Sequence, residues 1–159
     1  YIISLNKFTK WLGGVVEDYE ENIYGASSSP LHSGTPTDRL IVEWRITTPH
    51  VERRLFASAE PRVRDAGVAS AILVNPSRPR GELLEPGLSN LNADADRLLV
   101  EIPTGFTEML AAQPELALEW RFAIREILQT FFRRGYRIVD FLLARDAGRG
   151  QYVLARPAL

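Results

Sequence analysis

The fold class is decided by residues 114–155, PELALEWRFAIREILQTFFRRGYRIVDFLLARDAGRGQYVLA. Pro114 stands at a favourable first-turn position, and the apolar residues after it recur at helical spacing. Gly135 ends this helix, because glycine readily takes the left-handed conformation that closes one. Tyr136–Ala144 and Gln151–Ala155 then have the patterns of two strands joined by a turn. A helix followed by a hairpin predicts an α+β fold with a mostly antiparallel sheet flanked by helices.

The preceding part of the chain contributes further strands. Leu40–Ile46 alternates between apolar and polar residues, which is the period of a strand with one buried face. Val68–Val74 is rich in β-branched residues and alanine, and Leu98–Ile102 is apolar and closed by proline, so both are predicted strands. Val15–Tyr24 mixes acidic and apolar residues, which is compatible with either a strand that has one solvent-exposed face or a short helix.

Polar connections separate these elements. Gly25–Asp38 is rich in Ser, Gly and Pro and is predicted to be a loop, as is Ser77–Asp96. His50–Gly67 has few apolar anchors and is predicted to be a solvated connection with room for a short helical turn. The three tryptophans, at positions 11, 44 and 120, are predicted to be core or half-core aromatics.

Composition excludes several classes of function. The chain has 159 residues, 19 basic against 20 acidic side chains and a net charge of -1, so it lacks the broad basic surface of non-specific nucleic-acid binding. Cysteine is absent, which excludes disulfides, thiolate metal sites and a cysteine nucleophile. No apolar run approaches the ~20 residues that span a bilayer. We therefore expect a cytoplasmic protein without nucleic-acid or membrane partners.

Few residues suggest catalysis on their own. His32 and His50 are the only histidines, so a multi-histidine metal cluster is not expected, and we predict no metal site. His32 lies in the Ser/Gly/Pro-rich loop, where it is either a hydrogen-bonding loop residue or a group that handles a proton near neutral pH. Neither phosphate-cradling glycine motif of nucleotide-binding proteins occurs.

Residues 12–44 carry a series of short motifs: Leu12-Gly13-Gly14-Val15-Val16, Tyr19, Tyr24-Gly25, Ser29-Pro30-Leu31-His32, Gly34, Pro36-Thr37-Asp38-Arg39 and Val42-Glu43-Trp44. This series resembles a little-characterised branch of the GNAT (Gcn5-related N-acetyltransferase) superfamily. More diffuse similarity extends over Leu99–Pro103 and Glu119–Phe141. The resemblance implies a GNAT-like fold and transfer of an acetyl group from acetyl-CoA, or of another acyl group from its CoA ester, to an amine acceptor.

The resemblance also implies that part of the fold lies upstream. The cofactor loop Arg/Gln-x-x-Gly-x-Gly/Ala should precede a predicted helix at Tyr1–Leu12, and the chain begins at Tyr1 without a Met. We therefore expect residues 1–48 to be the C-terminal part of a GNAT-like core with its acceptor loop, and residues 49–159 to be an α+β extension packed on or continuing the sheet. Asn6 is then the counterpart of an Asn that binds the pantetheine arm, or else an exposed helix residue.

The acceptor is expected at the loop of residues 27–39. Ser28 and Ser29 supply hydroxyls, Asp38 and Arg39 supply charges, and His32 would take the amine proton. Asp38 and Arg39 could instead stabilise the start of the following strand. The acceptor itself is not identified, and a homo-oligomer is left open.

Two other classes of function compete with acyl transfer. A catalytically silent GNAT-like binding module would explain the missing cofactor loop. A hydrolase that uses Ser28 and His32 ranks last, because no serine lies in a Gly-x-Ser-x-Gly setting.

Overall fold

The computed structural model describes residues 7–25, 35–56, 68–144 and 147–156. Lys7–Trp11 forms a π-helical turn. The remaining elements, in chain order, are β1 (Val15–Glu20), β2 (Arg39–Glu43), α1 (Pro49–Phe56), β3 (Ile72–Leu73), β4 (Arg78–Arg80), β5 (Leu83–Glu85), β6 (Arg97–Pro103), α2 (Phe106–Ala112), α3 (Pro114–Arg133), β7 (Arg137–Ala144) and β8 (Arg149–Ala155).

Six of the strands form one sheet in the order β2-β1-β7-β8-β6-β3. Every pairing is antiparallel except that of β3 with β6, which is parallel. The two strands β4 and β5 form a separate antiparallel hairpin. The predicted α+β class with a mostly antiparallel sheet is therefore confirmed. Strands on both sides of residue 48 belong to this one sheet, whereas the division into two parts at that residue stays a prediction.

Helix α3 packs its apolar stripe on the sheet. Ile127, Leu128 and Phe131 are buried in one core cluster with apolar side chains of β6, β7 and β8. Trp120 is buried in a second cluster with Met109 of α2 and Leu116 of α3. Each such side chain contributes about 1.5–3 kcal/mol when it leaves water. Gly135 follows the helix with φ of 81°, a left-handed conformation that confirms the predicted stop.

A buried polar pair fixes the edge of the sheet. The Asn75 side chain accepts a hydrogen bond from the Glu101 N–H at 2.8 Å and donates one to the Glu101 carbonyl oxygen at 2.9 Å. The Glu101 carboxylate in turn accepts the Ser77 N–H at 2.6 Å. Because these groups are satisfied within the protein, they secure the chain after β3 against β6.

Several elements differ from the sequence prediction. The predicted strand at 68–74 is only two residues long, and the predicted loop at 77–96 contains the hairpin of β4 and β5. The connection after residue 48 begins with the two-turn helix α1. The tryptophans were predicted to be core or half-core residues: Trp120 is a core residue, whereas Trp11 and Trp44 are 55% and 42% exposed and lie at the surface of the protein, outside the core. Within the described ranges no helix is both long and apolar enough to cross a membrane.

Candidate functional site

A cavity of about 300 Å³ lies between helix α3 and the sheet, beside the start of α2. Its walls are mainly apolar, formed by Leu40, Ile102, Phe106, Trp120, Ile124 and Leu128. Polar groups project into it from β1 and β2 on one side and from α2, α3 and β8 on the other. Apolar walls with a few convergent polar groups are typical of small-molecule sites.

Asp38 is the most strongly held polar residue of the cavity. Its side chain is 1% exposed, and Arg125 donates two hydrogen bonds to the carboxylate, at 2.9 and 2.8 Å. The Tyr19 hydroxyl donates to the same carboxylate at 2.5 Å, and the Asn22 N–H donates at 3.0 Å. This network joins β1, the segment before β2, and α3, so Asp38 closes one end of the cavity.

The network determines the protonation of its members. Burial acts to raise the pKa of Asp38, but the hydrogen bonds from Arg125, Tyr19 and Asn22 outweigh it and hold that pKa below its ordinary value. Burial, followed by the hydrogen bond to Asp38, raises the pKa of Tyr19. At neutral pH Asp38 is therefore a fully engaged carboxylate and a poor proton acceptor, and Tyr19 stays neutral.

Arg125 is neutralised by two carboxylates. Besides Asp38 it contacts Glu21 at 2.9 Å, and its side chain is 19% exposed. The hydrogen bond to Asp38 raises the pKa of Arg125 further above its already high value. Arg125 therefore supports the cavity wall and adds little net positive charge to the cavity.

Arg121, one turn earlier on α3, has a different environment. Its Nε is buried and has no hydrogen-bond partner in the part of the chain that the structure describes. The guanidinium stacks on the Phe106 ring at 4.9 Å from the centroid. Across the residues that the structure describes, no carboxylate forms an ion pair with it, although it lines the cavity.

Tyr152 of β8 presents a second polar group to the cavity. Burial raises the pKa of Tyr152 to about 12, and the positive charge of Arg121 acts in the opposite direction. In the described part of the chain its hydroxyl makes no hydrogen bond. Tyr152 is therefore a neutral hydroxyl that can donate to a ligand.

The structure places some of the predicted site residues and not others. Asp38 and Arg39 line the cavity, and Arg39 donates to the Asp38 carbonyl oxygen at 2.9 Å while its guanidinium lies 5.0 Å from the centre of the Tyr24 ring. Asn6, Ser28, Ser29 and His32 lie outside the described residues.

The sequence analysis gave no site role to Arg121, Tyr19 and Tyr152, which line the cavity, or to Arg125, which binds Asp38. In the sequence, Arg121 and Arg125 fall outside the apolar stripe of α3 and are spaced by one helical turn. This spacing predicts that the two arginines lie on the same side of the helix. Tyr19 and Tyr152 lie on strands far apart in sequence, and no local pattern relates them. Two further arginines, Arg78 and Arg80, lie on the exposed strand β4, where Arg80 is 4.0 Å from Glu85 and 3.9 Å from Glu119.

Comparisons of the chain with protein-family models, curated proteins and solved structures found no match.

Proposed function

We propose that the chain contributes the acceptor-binding part of an acyl-CoA-dependent N-acyltransferase, in which the cavity beside α3 holds the amine. One observation carries the proposal. The motif Pro36-Thr37-Asp38-Arg39 ends the specific segment of the resemblance to the GNAT branch, and it leads directly into the cavity wall formed by Asp38, Arg39 and Leu40. Acceptor binding requires a ligand-sized cavity beside this motif, and the structure has one there.

The reaction is a direct transfer. The amine nitrogen attacks the thioester carbonyl carbon of acetyl-CoA, a C–N bond forms, and the C–S bond breaks. One proton leaves the nitrogen, and the departing thiolate gains a proton to become free CoA. The cavity assists because its apolar walls and the nearby Arg121 disfavour an ammonium ion, so the acceptor is bound as the neutral, nucleophilic amine.

His32 is the candidate proton acceptor in this proposal. Among the described residues of the cavity, Asp38 is fully engaged and the two tyrosines have raised pKa values, so none of these three is a suitable base near neutral pH. An imidazole with an ordinary pKa of about 6.5 suits this role. His32→Ala should lower turnover at least tenfold while changing the melting temperature little and the affinity for acetyl-CoA hardly at all. If this variant keeps wild-type kinetics, His32 is not the proton acceptor and the loop has a structural role.

The decisive assay is amine-dependent release of CoA thiol. The chain contains no cysteine, so a thiol-reactive dye reports CoA without background from these residues. The product of the complete reading frame is incubated with acetyl-CoA and a panel of primary amines. Ile124→Phe, which fills the cavity, should abolish amine-dependent release, whereas an exposed change on the same helix, Arg133→Met, should not. Release that is absent for every amine, or equal in both variants, would contradict the proposal.

A catalytically silent binding module is the second candidate. The hydrogen bonds of Asp38 favour it, because this carboxylate lines the cavity and is fully engaged by Tyr19 and Arg125, so it is not available as a base. The two candidates separate in one experiment. Saturable amine binding without thiol release, in a protein that binds acetyl-CoA, indicates the binding module.

A further inference from the structure

We infer that Arg121 anchors an anion site in the cavity beside α3, and that its ligand is a monocarboxylate with an apolar body. The anion site depends only on the cavity and its lining residues. The further statement that this carboxylate belongs to the acceptor rests on the proposed function, and it makes the acceptor an amine that also carries a carboxylate, such as an apolar amino acid.

The first support is the unsatisfied bonding capacity of Arg121. A guanidinium has five N–H donors and is always charged in proteins. Among the described residues the buried Nε of Arg121 has no hydrogen-bond partner, and the guanidinium stacks on the Phe106 ring. Because a buried donor without a partner is costly, this arrangement is best explained by a ligand that supplies the acceptor.

The second support is the contrast with Arg125 on the same helix. Arg125 is held by Asp38 and Glu21, so its charge is compensated by the protein itself. Arg121 has no such carboxylate in the described ranges and faces the cavity. One uncompensated positive charge matches one negative charge on a ligand.

The third support is a set of hydroxyls around the same space. Tyr152, Thr104 and Thr107 line the cavity together with Arg121. Tyr19 lines the same cavity from β1. A hydroxyl donor beside a guanidinium is suited to the two oxygens of a carboxylate.

The walls select the rest of the ligand. Trp120, Phe106, Ile124 and Leu128 offer apolar surface directly beside Arg121, and about 300 Å³ suits a small molecule at the lower end of the usual range. A phosphate dianion would place two charges against one uncompensated cation in apolar surroundings, which favours a carboxylate over a phosphate.

The test measures binding of simple probes without acetyl-CoA. Phenylacetate, its neutral analogue phenylacetamide and phenyl phosphate are titrated into the full protein by calorimetry or ligand-observed NMR. We expect phenylacetate to bind at least tenfold more tightly than either of the other two. Arg121→Met should reduce its affinity at least tenfold, and Arg121→Lys should reduce it less, because an ammonium keeps the charge but loses the two-point geometry.

The control is Arg133→Met, which removes an arginine from the exposed end of α3 and makes the same change in net charge. It should leave phenylacetate binding unchanged, and thermal melting checks that each variant is folded. Equal affinity for phenylacetate and phenylacetamide, or an unaffected Arg121→Met variant that is folded, would overturn the anion site. Tighter binding of phenyl phosphate would overturn the carboxylate assignment.

The acceptor statement is tested separately. L-Phenylalanine and L-phenylalaninamide are compared as acceptors in the thiol-release assay, and the free carboxylate should be preferred. Carboxylate binding without any thiol release leaves the anion site standing and contradicts acyl transfer. Equal thiol release with L-phenylalanine and L-phenylalaninamide supports acyl transfer but contradicts the assignment of the carboxylate to the acceptor.

Discussion

Replacing Asp38 with asparagine should destabilise the protein more than any other single change of one charge in the cavity. The substitution keeps the shape of the side chain but removes the negative charge that Arg125 holds with two hydrogen bonds. It also replaces one acceptor oxygen with an amide nitrogen that faces donors. The partly buried guanidinium of Arg125 is then left with Glu21 as its remaining carboxylate.

The magnitude follows from burial. Removing one partner of a buried ion pair costs about 3–5 kcal/mol. Because Arg125 is 19% exposed and keeps Glu21 at 2.9 Å, we expect the lower end, about 3 kcal/mol. For a chain of this size each kcal/mol lowers the melting temperature by about 2–4 °C, so the expected loss is roughly 6–12 °C.

Urea unfolding and thermal melting at pH 7 measure this change. The matched control is Glu21→Gln, which removes the other carboxylate of Arg125 at a position that is 48% exposed and should cost at most about 1 kcal/mol. Adding Arg125→Met to Asp38→Asn should restore part of the lost stability, because the unpaired charge is removed. If Asp38→Asn and Glu21→Gln were equally mild, the idea that the Asp38 network holds β1, β2 and α3 together would be refuted.

Three further outcomes are expected. Since folding lowers the pKa of Asp38, its stabilisation is present above the unfolded value of about 3.9 and is lost as the pH falls through the lower folded value. Melting curves from about pH 5 to 2 should show this fall, and it should be smaller in Asp38→Asn. Burial raises the pKa of Tyr152 to about 12, whereas the pKa of an unfolded tyrosine is about 10. The protein should therefore lose stability as the pH rises from about 10 through the folded pKa, and Tyr152→Phe should lessen that loss in alkaline melting curves. Gly87→Ala should lower the free energy of unfolding in urea by at least about 1–3 kcal/mol, because the new Cβ would lie 1.9 Å from the Pro76 carbonyl oxygen. In the control Gly105→Ala the Cβ lies 3.6 Å from the end of a flexible side chain, so the loss should be under about 1 kcal/mol. Equal losses in the two variants would contradict the close approach at Gly87.

The sequence by itself determined the elements whose pattern is local. Helix α3, the hairpin of β7 and β8, and strand β6 follow from apolar periodicity, from Pro114 at the start of the helix and from Gly135 after it. These signals act within a few residues, so no knowledge of the tertiary fold was needed to predict them.

Where the local sequence pattern is weak, the predicted secondary structure differs from the observed elements. The hairpin of β4 and β5 is short, begins with Arg78-Pro79-Arg80 and lies in a stretch rich in proline and glycine, so its composition indicated a loop. Ile72–Leu73 was predicted as part of a longer strand, because a β-branched run cannot reveal that pairing with β6 extends over only two residues.

The candidate site was decided by tertiary structure. Asp38 could be singled out in the sequence, but Arg125 lies 87 residues further along the chain and reaches it only because α3 packs across the sheet beside β1. Arg121 and Tyr152 face one cavity for the same reason. Charge compensation is a property of distances in space, and so only the folded chain distinguishes the paired Arg125 from Arg121, whose buried Nε has no partner.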